Sequence, residues 1–110
     1  MKSIKRYKIV IFIPESHADK MREAIGNAGA GVIGEYSHCS FTMRGVTRFR
    51  PMQSAEPVIG EAGQLQEVVE ERIETVCNED RLKDVLAAVK AVHPYEEPAP
   101  DVYPIEVMES

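Results

Sequence analysis

The secondary structure of one segment in the middle of the chain decides which fold the chain can adopt. Residues 64–78 read QLQEVVEERIETVCN, with apolar side chains at helical spacing and glutamates that favour a helix. The segment that follows is itself helical in pattern, however, and the apolar stripe of that helix must pack against a sheet. The local pattern therefore predicts a helix over residues 64–78, whereas the topology of the whole chain predicts a strand.

The elements before this segment are easier to interpret. Residues 6–14, RYKIVIFIP, are rich in β-branched and aromatic residues and predict an inner strand. Ser16 then stands where a helix N-cap is expected, ahead of an apolar stripe at spacings of three and four. The stripe consists of Ala18, Met21, Ile25 and Ala28. Residues 32–43 predict a second strand, and residues 44–63 predict a long loop or a small inserted hairpin.

The elements after the middle segment complete a second half of similar pattern. Asn78 is expected to cap a second helix. Its buried stripe consists of Leu82, Val85, Leu86 and Val89. The helix is expected to stop at His93, because Pro94 disfavours helical geometry at the residue before it. Residues 101–107 predict a last strand, which we expect at an edge of the sheet because Pro104 lacks an amide donor.

With residues 64–78 extended, the element order is βαββαβ. This order predicts an α+β, ferredoxin-like domain over residues 1–110, with a four-stranded antiparallel sheet and two helices on one face. The other face of such a sheet needs a cover. Since apolar residues occur on both faces of the predicted strands, we expect the chain to cover that face by self-association.

The balance of charge excludes one class of function. Acidic residues outnumber basic ones 18 to 13, for a formal net charge of -5, which argues against the basic face that nucleic-acid binding needs. The apolar run IVIFI is far shorter than the about 20 residues of a membrane span, and too short for a secretion signal. We expect a cytoplasmic protein whose two cysteines, Cys39 and Cys77, are free thiols.

Three stretches together carry a family resemblance: residues 29–41, GAGVIGEYSHCSF, residues 48–74, and residues 93–105, HPYEEPAPDVYPI. The chain resembles the YqfO-type small domain inserted in proteins of the Nif-three-like dinuclear-metal family, here standing alone. The resemblance implies a CutA- and PII-like fold, trimers built by sheet packing, and a strand over residues 64–78. The dinuclear metal centre of the family lies in flanking halves, so the resemblance implies a module without its own catalytic centre.

The proline-rich segment after the second helix carries the candidate metal ligands. His93, Glu96 and Glu97, joined by His38 from the predicted second strand, offer the donors that a divalent metal ion takes. In the alternative, the segment is a rigid corner, where His93 caps the helix and Tyr95 packs on the core. Glu96 and Glu97 then pair with arginines of a neighbouring subunit. Both interpretations are open from the sequence.

The long loop carries the candidate ligand-binding residues. Arg44, Arg48 and Arg50 could hold an anionic metabolite, as the loops of PII-like trimers hold nucleotides, with Tyr95 and Glu96 as further contacts. Alternatively, the arginines pair with the glutamates of the middle segment. The function we predict is a homotrimeric module that senses a small molecule or a metal, or contacts another protein. The alternative is a metal-binding protein or metal-dependent hydrolase that uses His93, Glu96 and Glu97.

Overall fold

The computed structural model describes residues 2–109 of the chain. Within this range it contains β1 (Lys2–Pro14), α1 (Ala18–Asn27), β2 (Phe41–Phe49), β3 (Gln66–Asn78), α2 (Leu82–Val92) and β4 (Asp101–Glu109). The strands form an antiparallel sheet in the order β2-β3-β1-β4. The predicted α+β, ferredoxin-like βαββαβ arrangement is therefore confirmed. Neither described helix is long and apolar enough to cross a membrane.

The middle segment is extended, as the topology and the resemblance predicted. β3 lies between β2 and β1, with Ile73 and Cys77 buried against the helices. The glutamates that favoured a helix find cations instead: Glu71 accepts from Arg22 on α1 at 2.6 Å, and Glu74 lies 3.7 Å from Lys8 on β1. Pairing on both sides and these long-range contacts outweigh the local helical preference, which is worth only tenths of a kcal/mol per residue, at most about 0.7.

The core lies between the sheet and the two helices. Ile9, Ile11 and Ile13 alternate along β1 and are fully buried on the side that we call the helix face. Met21 and Ile25 of α1 meet them there, as its stripe predicted. From α2, Val85 and Val89 are buried, Leu82 packs at the border of the core, and Leu86 is half-buried. Full burial of such a side chain stabilises the fold by about 1.5–3 kcal/mol.

The predicted position of the second strand is wrong. β2 begins at Phe41 and runs to Phe49, whereas residues 32–40 form a loop with an isolated bridge. Gly31, Gly34 and His38 have φ values of 81°, 56° and 59°, in the left-handed region that interrupts a strand. Residues 44–49, predicted as loop, are consequently strand. The irregular connection between β2 and β3 covers residues 50–65.

The predicted N-cap at Ser16 is wrong by about one turn, and Asn78 precedes the turn that leads into α2 but makes no side-chain capping hydrogen bond. Ser16 lies inside a 3₁₀ turn, Glu15–His17, and its hydroxyl is 2.9 Å from Nδ1 of His17. A second 3₁₀ turn, Glu79–Arg81, separates Asn78 from α2. The end of α2 at Val92, before His93, and the edge position of β4 with Pro104 are both confirmed.

Candidate functional site

The side of the sheet away from the helices, which we call the open face, is partly covered at one end. Two segments, residues 50–59 and 94–98, fold over it, and we call them the roof. Between roof and sheet lies a cavity of about 340 Å³. Its apolar wall includes Phe12, Phe49, Pro51, Val58, Ile59 and Pro98. Polar groups enter the wall at Thr47, Glu70, Tyr95, Glu96 and Glu97.

Hydrogen bonds close the roof on itself. Gly63 N donates to Pro51 O at 2.7 Å, and Ala55 N donates to Met52 O at 3.0 Å. Gly60 has a φ of 86°, and a Cβ there would lie 2.5 Å from Cγ of Gln66, so this turn requires glycine. The two roof segments are joined where Glu56 N donates to Oε1 of Glu96 at 3.1 Å. The carboxylate of Glu96 is thus a structural acceptor in the roof.

A buried carboxylate forms part of the cavity wall. Glu70 is only 2% exposed, and its Oε2 accepts from the hydroxyl of Tyr95 at 2.6 Å. The other oxygen, Oε1, is buried and has no hydrogen-bond partner among residues 2–109. Burial, and then the hydrogen bond to Glu70, raises the pKa of Tyr95 well above its usual value, so the phenol stays a donor at neutral pH. Its ring packs at a tilt against Phe49, with centroids 6.2 Å apart.

His93 fixes the corner between α2 and the cavity wall. Its Nε2 lies 2.7 Å from Phe12 O on β1, and its Nδ1 accepts from Tyr95 N at 3.2 Å. A carbonyl oxygen can only accept, so the ring proton is on Nε2 and the lone pair on Nδ1. Both ring nitrogens of this buried histidine are therefore engaged with backbone groups.

The structure separates the predicted metal ligands. His38 lies in the loop before β2, with Nε2 3.0 Å from Oδ1 of Asn27 at the end of α1. His93 is engaged as described above, and Glu96 holds the roof. Among residues 2–109, no group of three or more His, Cys, Asp and Glu side chains is arranged to hold a metal ion. The set of His93, Glu96, Glu97 and His38 stays a prediction.

The predicted anion-binding residues are divided between two faces. Tyr95 and Glu96 line the cavity, but Arg44 and Arg48 point to the helix face. Arg44 pairs with Glu15 at 3.0 Å and Arg48 with Glu67 at 3.4 Å. Arg50, like the other two arginines, is outside the set of described residues that line the cavity. Arg48 thus pairs with a glutamate of the middle segment, as the alternative expected, whereas the partner of Arg44, Glu15, lies outside that segment.

The buried residue of the cavity wall that sequence reasoning missed is Glu70. It was one of several glutamates in β3, and strand alternation alone puts it on the same face as Arg72 and Glu74. Its burial depends on Tyr95, 25 positions further along the chain. The sequence signal for a buried carboxylate was Tyr95 itself, because prolines stiffen its segment and so hold its hydroxyl donor in one position.

The fold defines the class of domain. Residues 2–109 form a ferredoxin-like domain of the CutA and PII type. CutA from Synechococcus elongatus is similar with a TM-score of 0.68 at 17% identity, over 96% of this chain and 85% of that one. The Bacillus subtilis GlnK–ATP complex is similar with a TM-score of 0.61 at 14% identity, over 92% of this chain and 83% of that one. These identities show the fold alone.

More similar proteins identify the family relationship. The chain is 48% identical over 99 residues to a GTP cyclohydrolase 1 type 2 homolog of Halalkalibacterium halodurans, covering 90% of this chain and 27% of that protein. A Bacillus cereus protein related to NIF3 is similar with a TM-score of 0.80 at 43% identity, over 96% of this chain and 27% of that one. No protein-family model matches. The chain is thus homologous to one segment of Nif-three-like proteins, spanning about a quarter of their length.

Proposed function

We propose that this chain is a non-catalytic, homotrimeric module that binds a small, largely apolar molecule in the cavity beneath the roof. The cavity itself carries the proposal. Its volume of about 340 Å³ is in the range of small-molecule sites. Its wall is mostly apolar with a few polar groups at fixed places, which is the composition that gives such sites affinity and orientation.

The open face supports self-association beside the cavity. Apolar side chains there are exposed on three strands: Phe12, Phe41, Met43 and Tyr103. Lys8, Arg72 and Glu74 lie among them. An exposed apolar patch is typical of an interface between proteins, and within this one Arg72 is already paired with Glu74. A second and a third copy of this chain are the occupants we propose, because the family resemblance implies trimers built by sheet packing.

The proposal assigns no catalysis to this chain. The cyclohydrolase in the relatives' name refers to proteins of which the chain covers 27%, and the resemblance implies a metal centre outside this segment. We also propose a cytoplasmic location, which the free thiols of Cys39 and Cys77 support. Robust GTP hydrolysis by the purified chain, abolished in His93→Ala, would contradict the non-catalytic assignment.

Binding of a neutral fluorescent probe tests the cavity. We expect N-phenylnaphthylamine to bind the wild-type protein with enhanced fluorescence. In Ile59→Arg, a charged side chain replaces a half-buried apolar side chain of the wall, and we expect affinity to fall about tenfold or more. Met52→Arg is the matched control, because Met52 lies in the same loop but is highly exposed and outside the wall. Equal affinity in the two variants would show that the probe binds elsewhere and would overturn the proposal.

A further inference from the structure

The wall of the cavity has one sign of charge. Glu70, Glu96 and Glu97 contribute carboxylates, while the wall residues within 2–109 include no lysine or arginine. Clefts with walls of a single sign and low polarity concentrate ligands of the opposite sign. An anionic metabolite, which the three arginines suggested, would face these carboxylates without a compensating cation.

The three carboxylates differ in how much bonding capacity they have left. Glu96 already accepts the backbone N–H of Glu56, and Glu97 is exposed, so water screens it. Glu70 is buried, and one of its two oxygens is without a partner within residues 2–109. A buried polar group that lacks a hydrogen bond is destabilising, and more so when it is charged. A donor on a bound molecule would remove that penalty.

The contact with Tyr95 uses one oxygen of the Glu70 carboxylate and leaves the other without a hydrogen bond. A carboxylate has two oxygens that accept hydrogen bonds, and the phenol donates to Oε2 at 2.6 Å. Tyr95 is itself held by the packing of its ring against Phe49 and by its backbone bond to His93. The carboxylate is therefore oriented before a ligand arrives. Oε1 is its unpaired acceptor, and because this atom is buried, the wall around it must shift for a ligand donor to reach it.

We propose that Glu70 selects the ligand of this cavity, and that the ligand has an apolar body and a positively charged amine, or a related N–H donor, which bonds to Oε1. This inference rests on the proposed ligand-binding function and adds the chemical class of the ligand. The apolar wall takes the body, and the charge-assisted hydrogen bond gives selectivity. Glu70 is a ligand-contacting residue in this account, and Tyr95 is a positioning residue.

A matched set of indole probes tests the selectivity. Tryptamine, tryptophol and indoleacetate share the indole body and differ in an ammonium, a hydroxyl or a carboxylate group. Each is titrated into the protein loaded with N-phenylnaphthylamine, at one pH and salt concentration. In the wild type we expect tryptamine to displace the dye about tenfold more tightly than indoleacetate, with tryptophol between them.

Two variants assign that preference to a residue. In Glu70→Gln the side chain keeps its shape and loses its charge, so we expect tryptamine and indoleacetate to bind within about twofold of each other. Glu61→Gln removes an exposed carboxylate from the connection between β2 and β3, outside the cavity wall, and is expected to keep the wild-type preference. Circular dichroism and the thermal midpoint confirm that each variant is folded.

The outcomes separate the two proposals. If all three probes displace the dye equally, the cavity binds ligands but the selectivity of Glu70 is wrong. The same conclusion follows if indoleacetate binds the wild type more tightly, whether or not Glu70→Gln folds. If Glu61→Gln loses the preference as fully as Glu70→Gln, the overall negative charge of the protein selects the ligand and Glu70 has no special role. If the dye itself does not bind the wild type, the ligand-binding function is overturned and the inference with it.

Discussion

The two faces of the sheet differ in how fully this chain buries their apolar side chains and pairs their polar ones. On the helix face, alternate isoleucines of β1 are fully buried and Arg22 joins α1 to Glu71 of β3. On the open face, Phe12 lies one residue from Ile11 and is 41% exposed, and the buried Glu70 keeps an unpartnered oxygen within residues 2–109. Where α1 and α2 cover it, the helix face is complete within the chain, although Val46 in β2 on the same face is exposed. The other face has the features of a surface that a ligand and further copies complete.

The largest effect that this comparison predicts is on stability. Ile11→Ala creates a cavity in the closed core, and we expect the free energy of unfolding to fall by about 3 kcal/mol. Phe12→Ala, the neighbour on the open face, is expected to lower it by less than half as much, because the ring is already in contact with water. Urea unfolding of dilute protein measures both. Equal losses would show that the open face contributes to the core of the single chain.

The next effect is on assembly, and β2 offers matched positions on its two faces. Met43 is on the open face and 52% exposed, and Val46 is on the helix face and 61% exposed. Met43→Glu places a buried charge at the proposed interface and is expected to weaken association by about a hundredfold. Val46→Glu should have little effect.

Light scattering on a sizing column distinguishes the two variants. We expect the wild type and Val46→Glu to have three times the chain mass of 12.3 kDa, and Met43→Glu to have the mass of one chain. A wild-type protein that is monomeric at tens of micromolar, or a trimer that Val46→Glu disrupts and Met43→Glu does not, would contradict sheet packing through the open face.

The smallest effect concerns pH and the cavity wall. The pKa of Tyr95 is raised in the folded state, so the folded protein holds this proton more tightly than the unfolded chain does. The stabilisation is complete below the unfolded pKa of 10.0 and is lost as pH rises above it. We expect the wild type to lose stability above this pH more steeply than Tyr95→Phe. If urea unfolding gives the same dependence of stability on pH for both proteins, folding does not raise the pKa of Tyr95.

The fold could be predicted from the sequence because the local pattern of most elements agrees with the topology of the whole chain. The stripes of both helices, the inner strand β1 and the stop before Pro94 follow from local pattern. β3 needed the topology and the family resemblance to overrule a helical pattern. β2 was misplaced because residues 32–40 have strand-like composition, while the left-handed backbone at Gly34 and His38 is a property of the folded loop.

The candidate site was less predictable, and the error in β2 explains part of this. Without the register of β2, the faces of Arg44 and Arg48 could not be assigned, and both were placed with the ligand. Tyr95 and Glu96 were identified because prolines stiffen their segment, and both lie in the cavity wall. Glu70 was missed because its burial depends on a residue distant in sequence.

The way the roof is held has a consequence for how this cavity changes among homologues. Two of its ties run between main-chain atoms, from Gly63 to Pro51 and from Ala55 to Met52, and a third runs from Glu56 N to the side chain of Glu96. Side chains such as Val58 and Ile59 take no part in those bonds. Substitution at these two positions can therefore reshape the interior while its cover keeps its form, so related proteins can evolve to accept different molecules on an unchanged scaffold.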